Sequence, residues 1–169
     1  MSKQTTKTSV MKKEKSAPGT SQHVPVQNHC FGCGSANRSG LHLQFEKVAG
    51  EKSVVCHFQM PRRFEGPPGH VHGGVIATIL DEAMGKVNWQ KQVVALTRQM
   101  SIEYLRPVPL ATPLCAVGWP VSEDGRKHRN AAEIRTADGT VLARGEGLFI
   151  AIDPAMFKKH AQKKITPSK

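Results

Sequence analysis

The chain has 169 residues, 38% of them hydrophobic, so a single domain with an ordinary core is expected. No stretch approaches the roughly 18 consecutive apolar residues of a membrane span, and the N-terminus lacks the apolar segment of a secretory signal. Four cysteines without an export signal indicate thiols in a reducing compartment. We therefore expect a cytoplasmic protein without a disulfide framework.

The net charge of +11 is concentrated at the two ends of the chain. Residues 1–16 hold five lysines against one acid, and residues 158–169 hold five more. Both ends are polar and aperiodic, which predicts disordered basic tails at 1–23 and 157–169 around a folded domain at 24–156. With 5% Phe, Trp and Tyr, the charge lacks a stacking platform, so specific nucleic-acid binding is not expected. Weak contact of the tails with RNA or an anionic membrane stays open.

The first segment of the domain, residues 28–40, is rich in Gly and Asn and predicts a turn-rich loop. Cys30 and Cys33 in this loop have the spacing of a metal-binding pair. A structural zinc site needs about four ligands, however, and only His29 lies near the pair in the sequence. We therefore predict no metal site.

Much of the remaining domain sequence has the alternation of apolar and polar residues that is typical of strands. Residues 41–48 predict a half-buried strand. Residues 52–60 predict a second strand, which follows Gly50 at a position that suits a hairpin turn. Four more extended stretches lie at 93–105, 112–122, 127–137 and 140–152. The dipeptides at 124–125 and 138–139 are Asp-Gly, a type I′ hairpin signal that predicts antiparallel neighbours. The expected fold is α+β, with five or six antiparallel strands.

One helical pattern, in residues 69–85, separates the first strands from the rest. Its apolar residues share one side, at Ile76, Ile79, Leu80, Ala83 and Val87. Asp81 lies opposite, in a stripe of small or polar residues. Glycines at the helix start allow close backbone approach, and the free N–H groups there favour anions and developing oxyanions. Asp81 is thus either a solvated surface acid or part of a site.

Element lengths indicate how the helix and the sheet combine. A helix of about 17 residues is roughly 25 Å long, whereas a strand of about 13 residues reaches roughly 40 Å. Strands that long must curl, and curling around the helix buries its apolar side. One sheet face and the small-residue stripe remain for a second copy of the chain.

The sequence HGG followed by VIATILD, with the acid nine residues after His72, resembles the hotdog-fold acyl-CoA thioesterases of the phenylacetate-pathway (PaaI-like) type. The resemblance runs from about Asn28 to Ile152. It includes NHCFGCGSANRSGLHLQF, TRQMSIEYLRPVPL and the Gly-Arg-Lys hairpin at 125–127. It implies a hotdog fold, an acyl-coenzyme A substrate, no cofactor, and a homodimer or homotetramer with sites at the subunit interface. It also places residues 28–40 near the substrate end of the sheet.

The resemblance also implies roles for particular residues. Asp81 matches the acidic position that acts as general base or nucleophile, and the Gly73 and Gly74 amides match the oxyanion donors. His72 either orients the carbonyl or only shapes the turn. Thr97 matches a Ser or Thr that helps hold the water, although Thr is also an ordinary strand residue.

Two neighbouring positions complicate this assignment. Glu82 is a competing acid, but it lies 100° around the helix and matches no catalytic position. Some relatives carry an amide six residues before the His, where this chain has Gly66. Either that helper is not used, or Glu65 or Asn28 takes a related place.

Coenzyme A carries phosphates, which predicts a basic rim. We expect the contacts from Arg126, Lys127 and Arg129, just after the hairpin. Arg62, Arg63 and Arg106 are the alternatives. Two other functions stay open, a non-catalytic acyl-CoA or acyl-carrier-protein binder and a hydratase of the same fold.

Overall fold

The structure is a computed structural model that describes residues 28–155, so the predicted tails at 1–23 and 157–169 lie outside the described residues. Within these residues one long helix, α1 (Gly73–Gln90), accompanies six strands. The strands are β1 (Glu46–Lys47), β2 (Val54–Phe58), β3 (Ala95–Tyr104), β4 (Leu114–Asp124), β5 (Lys127–Thr136) and β6 (Val141–Ala151). A short 3-10 turn, Arg62–Phe64, precedes the helix. The predicted α+β fold is confirmed.

The six strands form one sheet in the order β1-β2-β4-β5-β6-β3. Every neighbouring pair is antiparallel. The helix packs against β2, β3, β4, β5 and β6, so the sheet covers its apolar side along most of its length. Because β3 is the last strand in this order, it forms an edge of the sheet, and most of its side chains are exposed.

The core lies between the apolar side of α1 and the facing side of the sheet. Each helix residue predicted to be buried is buried, and Met84 joins them. The sheet contributes Val54, Cys56, Leu114, Ala116, Ala132, Ile134, Ala143 and Phe149. The helix approaches β4 closely at Gly118, where an added Cβ would lie 2.5 Å from the Ala83 carbonyl oxygen. That approach requires glycine.

The first predicted strand is much shorter than expected. Of residues 41–48 only the two residues of β1 pair with β2. Leu41 and Leu43 are buried, but their N–H groups donate to the Phe31 and Gly32 carbonyls at 2.8 and 2.9 Å. The alternating pattern therefore predicts burial correctly, but the predicted sheet pairing of this segment is wrong, because the preceding loop takes those hydrogen bonds.

The two Asp-Gly hairpins join antiparallel strands, but neither is a type I′ turn. At the β4–β5 turn Gly125 has φ +53° whereas Arg126 does not have positive φ, and type I′ needs both. At the β5–β6 turn Gly139, with φ +88°, follows a tight turn closed by its N–H to the Thr136 carbonyl. This is the longer hairpin loop with a single left-handed glycine. The predicted turn type was wrong, and the predicted pairing is confirmed.

Candidate active site

The start of α1 is shaped by His72. Its Nδ1 accepts a hydrogen bond from the Gly74 N–H at 3.0 Å, which makes His72 the N-cap of the helix. Its carbonyl accepts from the Val75 and Ile76 N–H groups. Within residues 28–155 the Gly73 N–H has no acceptor. In this arrangement the Gly74 amide is occupied and the Gly73 amide is available to a ligand.

The loop before the helix explains the glycine at position 66. A Cβ on Gly66 would lie 2.7 Å from the His72 Cα, so no side chain fits there. The Glu65 carboxylate accepts from the Gly69 N–H at 2.8 Å and pairs with Arg62. The Gly69 hydrogen bond lowers the pKa of Glu65. Its side chain therefore closes this loop.

Asp81 and Thr97 are brought together by the fold. The Thr97 hydroxyl donates to the Asp81 Oδ1 at 2.7 Å, across sixteen positions of sequence. Asp81 is half-buried, and that burial raises its pKa. The Thr97 hydrogen bond opposes this rise, and the Glu82 charge adds a smaller contribution in the same direction as burial. A carboxylate with a raised pKa is a stronger base than an exposed aspartate.

A β-bulge positions the Thr97 side chain. Thr97 pairs with Phe149 of β6, and Gln99 pairs with the next residue, Leu148, so Arg98 is the extra residue. Phe149 is buried on the helix side of the sheet, and Thr97 therefore faces α1. The sequence pattern predicted a strand here without indicating the bulge.

The cavity around Asp81 and Thr97 lies between α1, the start of β3 and the N-terminal loop, residues 28–40, which contains Cys30 and Cys33. Its lining includes Cys33, Glu82, Gly85, Lys86, Trp89 and Leu96. Gly73 instead lines a second cavity with Tyr104 and Arg106. Within one protomer the predicted base and the predicted oxyanion donor are thus in different cavities.

The Cys30–Cys33 loop contacts the helix beside Asp81. The Cys30 thiol donates to the Glu82 carboxylate at 3.1 Å, and Lys86 Nζ donates to the Cys33 sulfur at 3.2 Å. Burial, aided by Glu82 and opposed by Lys86, raises the pKa of Cys33 to about 11. Sequence reasoning missed Glu82 and Lys86 as partners, because more than 50 positions separate them from the cysteines. All four cysteines are thiols, as predicted.

The predicted coenzyme A residues lie away from these cavities. Arg126, Lys127 and Arg129 are exposed on the β4–β5 hairpin, and none of them lines the Asp81 cavity. Arg126 Nε donates to the Ala151 carbonyl at 2.9 Å. Of the alternatives, Arg106 lines the Gly73 cavity, whereas Arg63 stacks over the Phe64 ring at 4.7 Å.

Comparison with known proteins agrees with this fold. Residues 68–143 match the thioesterase superfamily, and this segment includes the whole of α1 and the predicted site residues on it. This segment is therefore similar to the thioesterase superfamily, and the single helix packed against one antiparallel sheet is the hotdog fold that the motifs predicted.

Among curated relatives, the chain is similar to acyl-coenzyme A thioesterase THEM4 of Rattus norvegicus, with 35% identity over 62% of this chain and 45% of the relative. The corresponding Bos taurus protein is 32% identical over 76% of this chain and 53% of the relative. The chain thus spans about half the length of the curated relatives it matches.

Solved structures show the same architecture. Protein RHA08564, a thioesterase superfamily protein, is 40% identical with a TM-score of 0.69, covering 73% of this chain and 60% of that chain. The Escherichia coli PaaI protein of the phenylacetic acid degradation operon is 18% identical, with a TM-score of 0.62 over 67% of this chain and 81% of that one. A hypothetical thioesterase from Streptococcus pneumoniae, solved with coenzyme A, is 22% identical with a TM-score of 0.60, over 64% and 87%. At these identities the last two show the fold alone.

In the part of the chain that the structure describes, no helix is both long and apolar enough to cross a membrane.

Proposed function

We propose that this protein hydrolyses the thioester of an acyl-coenzyme A to a free acid and coenzyme A. The observation that carries the proposal is the Asp81–Thr97 pair, a half-buried carboxylate held at 2.7 Å by a hydroxyl in a cavity. The superfamily match and the names of the THEM4 relatives support the substrate class.

Asp81 acts on the thioester carbonyl in one of two ways. As a general base it removes a proton from a water held between its carboxylate and the Thr97 hydroxyl. As a nucleophile it attacks the carbonyl itself, breaks the carbon–sulfur bond to release the coenzyme A thiolate, and forms an anhydride that water then opens at the Asp81 carboxyl carbon. A single turnover in heavy-oxygen water separates the two, because the base route labels the first product acid and the nucleophile route labels Asp81 first.

The oxyanion donors are the amides at the start of α1. The Gly73 N–H is available without rearrangement, and the Gly74 N–H becomes available when the His72 ring turns away from it. In this proposal His72 acts as a positioning residue that holds the turn and controls the Gly74 donor.

A complete site needs a second copy of the chain. Gly74 and Asp81 lie seven residues apart on one helix, a separation of about 10 Å, so they cannot both reach one thioester carbonyl. We therefore place Asp81 and Thr97 of one protomer opposite the Gly73 turn of another, in a homodimer or homotetramer. The exposed edge strand β3, next to the Asp81 cavity, is the surface available for this pairing.

Light scattering on a size-exclusion column tests the assembly. A dimer or larger species is expected in dilute solution, and a fully active monomer would contradict the shared site.

Release of free thiol from a panel of acyl-coenzyme A substrates tests the activity. Asp81→Asn is expected to fold normally and to lower kcat by at least ~10², the loss that follows removal of a principal base. Glu146→Gln, which removes a carboxylate on β6, is the matched control and should retain wild-type kcat. Glu82 is unsuitable as the control because it bonds Cys30. Wild-type kcat in folded Asp81→Asn would remove Asp81 from the mechanism.

The basic cluster on the hairpin is proposed to bind coenzyme A phosphates. Replacing Arg126, Lys127 and Arg129 with Gln should raise KM in a salt-sensitive way, by roughly ten- to a hundred-fold per lost contact, while kcat changes less. Arg106→Gln is the comparison, because Arg106 lines the Gly73 cavity. A rise in KM confined to Arg106→Gln would move the phosphate site to that cavity.

A further inference from the structure

Two cysteines from the N-terminal loop and one carboxylate from α1 converge beside the Asp81 cavity. The Cys30 and Cys33 sulfurs and a Glu82 carboxylate oxygen all lie within 4.8 Å of one another, and all three residues are partly buried. Four-coordinate zinc with thiolate ligands at about 2.3 Å places its sulfurs roughly 3.8 Å apart. The three donor atoms therefore need to move inward by no more than about 1 Å to surround one ion.

We propose that Cys30, Cys33 and Glu82 bind a zinc ion, with a fourth position open to water. Two thiolates and one carboxylate are a donor set that suits zinc, whereas magnesium and calcium take oxygen ligands. The proposal does not depend on the proposed function, because its test measures metal binding and not thioester hydrolysis. It revises the prediction of no metal, because the third ligand comes from a helix distant in sequence. His29, the ligand considered from sequence, is exposed and outside the cluster.

Charge around the cluster supports this assignment. Zinc with two thiolates and one carboxylate has a net charge of −1, and Lys86 brings a compensating positive charge. Lys86 Nζ lies 3.2 Å from the Cys33 sulfur, and the Asn28 Nδ2 lies 3.9 Å from the same atom. Groups that donate to a ligating sulfur are the usual outer shell of a thiolate metal site. Metal binding here releases the two thiol protons to solvent.

The loop is shaped so that its cysteines face the helix. A Cβ on Gly32 would lie 2.3 Å from the Glu82 Cγ, so only glycine allows the carboxylate to reach the cysteine pair. The Gly34 N–H closes the turn on the Cys30 carbonyl at 2.9 Å, and a Cβ at Gly34 would strike that backbone. Steric contacts thus explain why both positions, Gly32 and Gly34 of the CFGCG sequence, are glycine.

The ion would fasten the N-terminal loop to α1. Cys33 and Glu82 both line the cavity that holds Asp81 and Thr97, so the loop forms one wall of that cavity. Cys30 and Cys33 contact the helix through the Glu82 and Lys86 hydrogen bonds. Coordination replaces these contacts with bonds to a shared ion and fixes the wall.

Titration of the reduced, metal-free full-length protein with Co²⁺ tests the proposal. One equivalent should bind and produce the thiolate charge-transfer band and the visible bands of a tetrahedral cobalt site, and Zn²⁺ should displace it. Cys30→Ser should abolish the charge-transfer band or strongly reduce it. Cys115→Ser is the matched control, because Cys115 lies on β4 outside the cluster, and its titration should equal that of the wild type.

Glu82→Gln tests the third ligand while leaving both cysteines in place. It should weaken cobalt binding at least ~10-fold and alter the visible bands, since outer-shell changes alone cost that much at metal sites. Lys86→Met should weaken binding by about the same factor without changing the visible bands.

Three outcomes would overturn the proposal: no cobalt binding by the reduced wild-type protein, binding that survives Cys30→Ser unchanged, or a Glu82→Gln titration identical to that of the wild type. The first outcome combined with loss of two titratable thiols on mild oxidation would identify the pair as a disulfide couple instead.

Discussion

Leu80 and Asp81 are adjacent in the sequence and lie on opposite sides of α1. Leu80 is completely buried against the sheet, whereas Asp81 faces a cavity and bonds Thr97. The core side of the helix is covered by the sheet of the same protomer along most of its length. The Asp81 side is bounded by two segments distant in sequence, the Cys30–Cys33 loop and the start of β3. The helical period thus separates residues that hold the fold from residues that are available for chemistry.

The largest expected effect on stability comes from creating a cavity on the core side of α1. Leu80→Ala should lower the free energy of unfolding by about 2–5 kcal/mol, because a fully buried leucine leaves a cavity. Urea denaturation measures the change. Asp81→Ala, one residue along, should shift stability by about 0.5 kcal/mol or less. Equal losses in the two variants would mean that the sides of the helix do not differ in this way.

The contact between α1 and β4 should be nearly as sensitive. Gly118→Ala is expected to cost about 1–3 kcal/mol, since its Cβ would meet the Ala83 carbonyl at 2.5 Å. The control is Gly85→Ala, on the cavity side, where the nearest atom, in Phe149, is 3.9 Å away. Alanine there should be neutral or stabilising by up to about 1 kcal/mol, through helix propensity. The melting temperatures of the two variants should therefore move in different directions.

On the side of α1 that faces the cavity, loss of the Thr97 hydroxyl should lower kcat and leave the free energy of unfolding nearly unchanged. Thr97→Val keeps the shape of the side chain and removes the hydrogen bond to Asp81, so kcat should fall about ten-fold, or about 1.4 kcal/mol. Thr97→Ser keeps the hydroxyl and should stay near wild type. If the Ser and Val variants are equally impaired, the methyl group matters and the hydroxyl does not.

The smallest expected effect is a pH dependence of stability at His128. Its pKa is lowered by burial and by the Lys91 ammonium, while its other charged neighbour, Glu123, is already paired with Lys91. As pH falls below about 6.5 the unfolded chain takes up the proton first, so stability declines with a slope of at most about 1.4 kcal/mol per pH unit. His128→Gln should flatten this decline between pH 7 and 5, and exposed His57→Gln should not. An unchanged slope in His128→Gln would assign the decline to other groups.

The sequence predicted what depends on short-range pattern. The buried side of α1 followed from the spacing of Ile76, Ile79 and Leu80, and the pairing of the later strands followed from their turns. Asp81 and Thr97 were both named from their motifs, and the structure brings them together.

Longer-range features escaped prediction because nothing local encodes them. The convergence of Cys30 with Glu82 spans 52 positions, and the loss of pairing at residues 41–45 depends on the carbonyls of a preceding loop. The predicted type I′ turns were wrong because Asp-Gly fits more than one hairpin geometry, and the register of the paired strands decides which one forms.

The bulge at Arg98 allows residues before and after it in β3 to face α1, which the alternation of a regular strand would prevent. A regular strand presents every second residue to one face, so Thr97 and Met100, three residues apart, would face opposite ways. The extra residue lets Thr97 reach Asp81 while Met100 and Ile102 still pack against the core. Residues 97–100 therefore cannot be shortened by one without turning either the hydroxyl or the core residues outward. One strand thus supplies both the hydroxyl that contacts Asp81 and side chains of the core, because the bulge shifts its alternation between them.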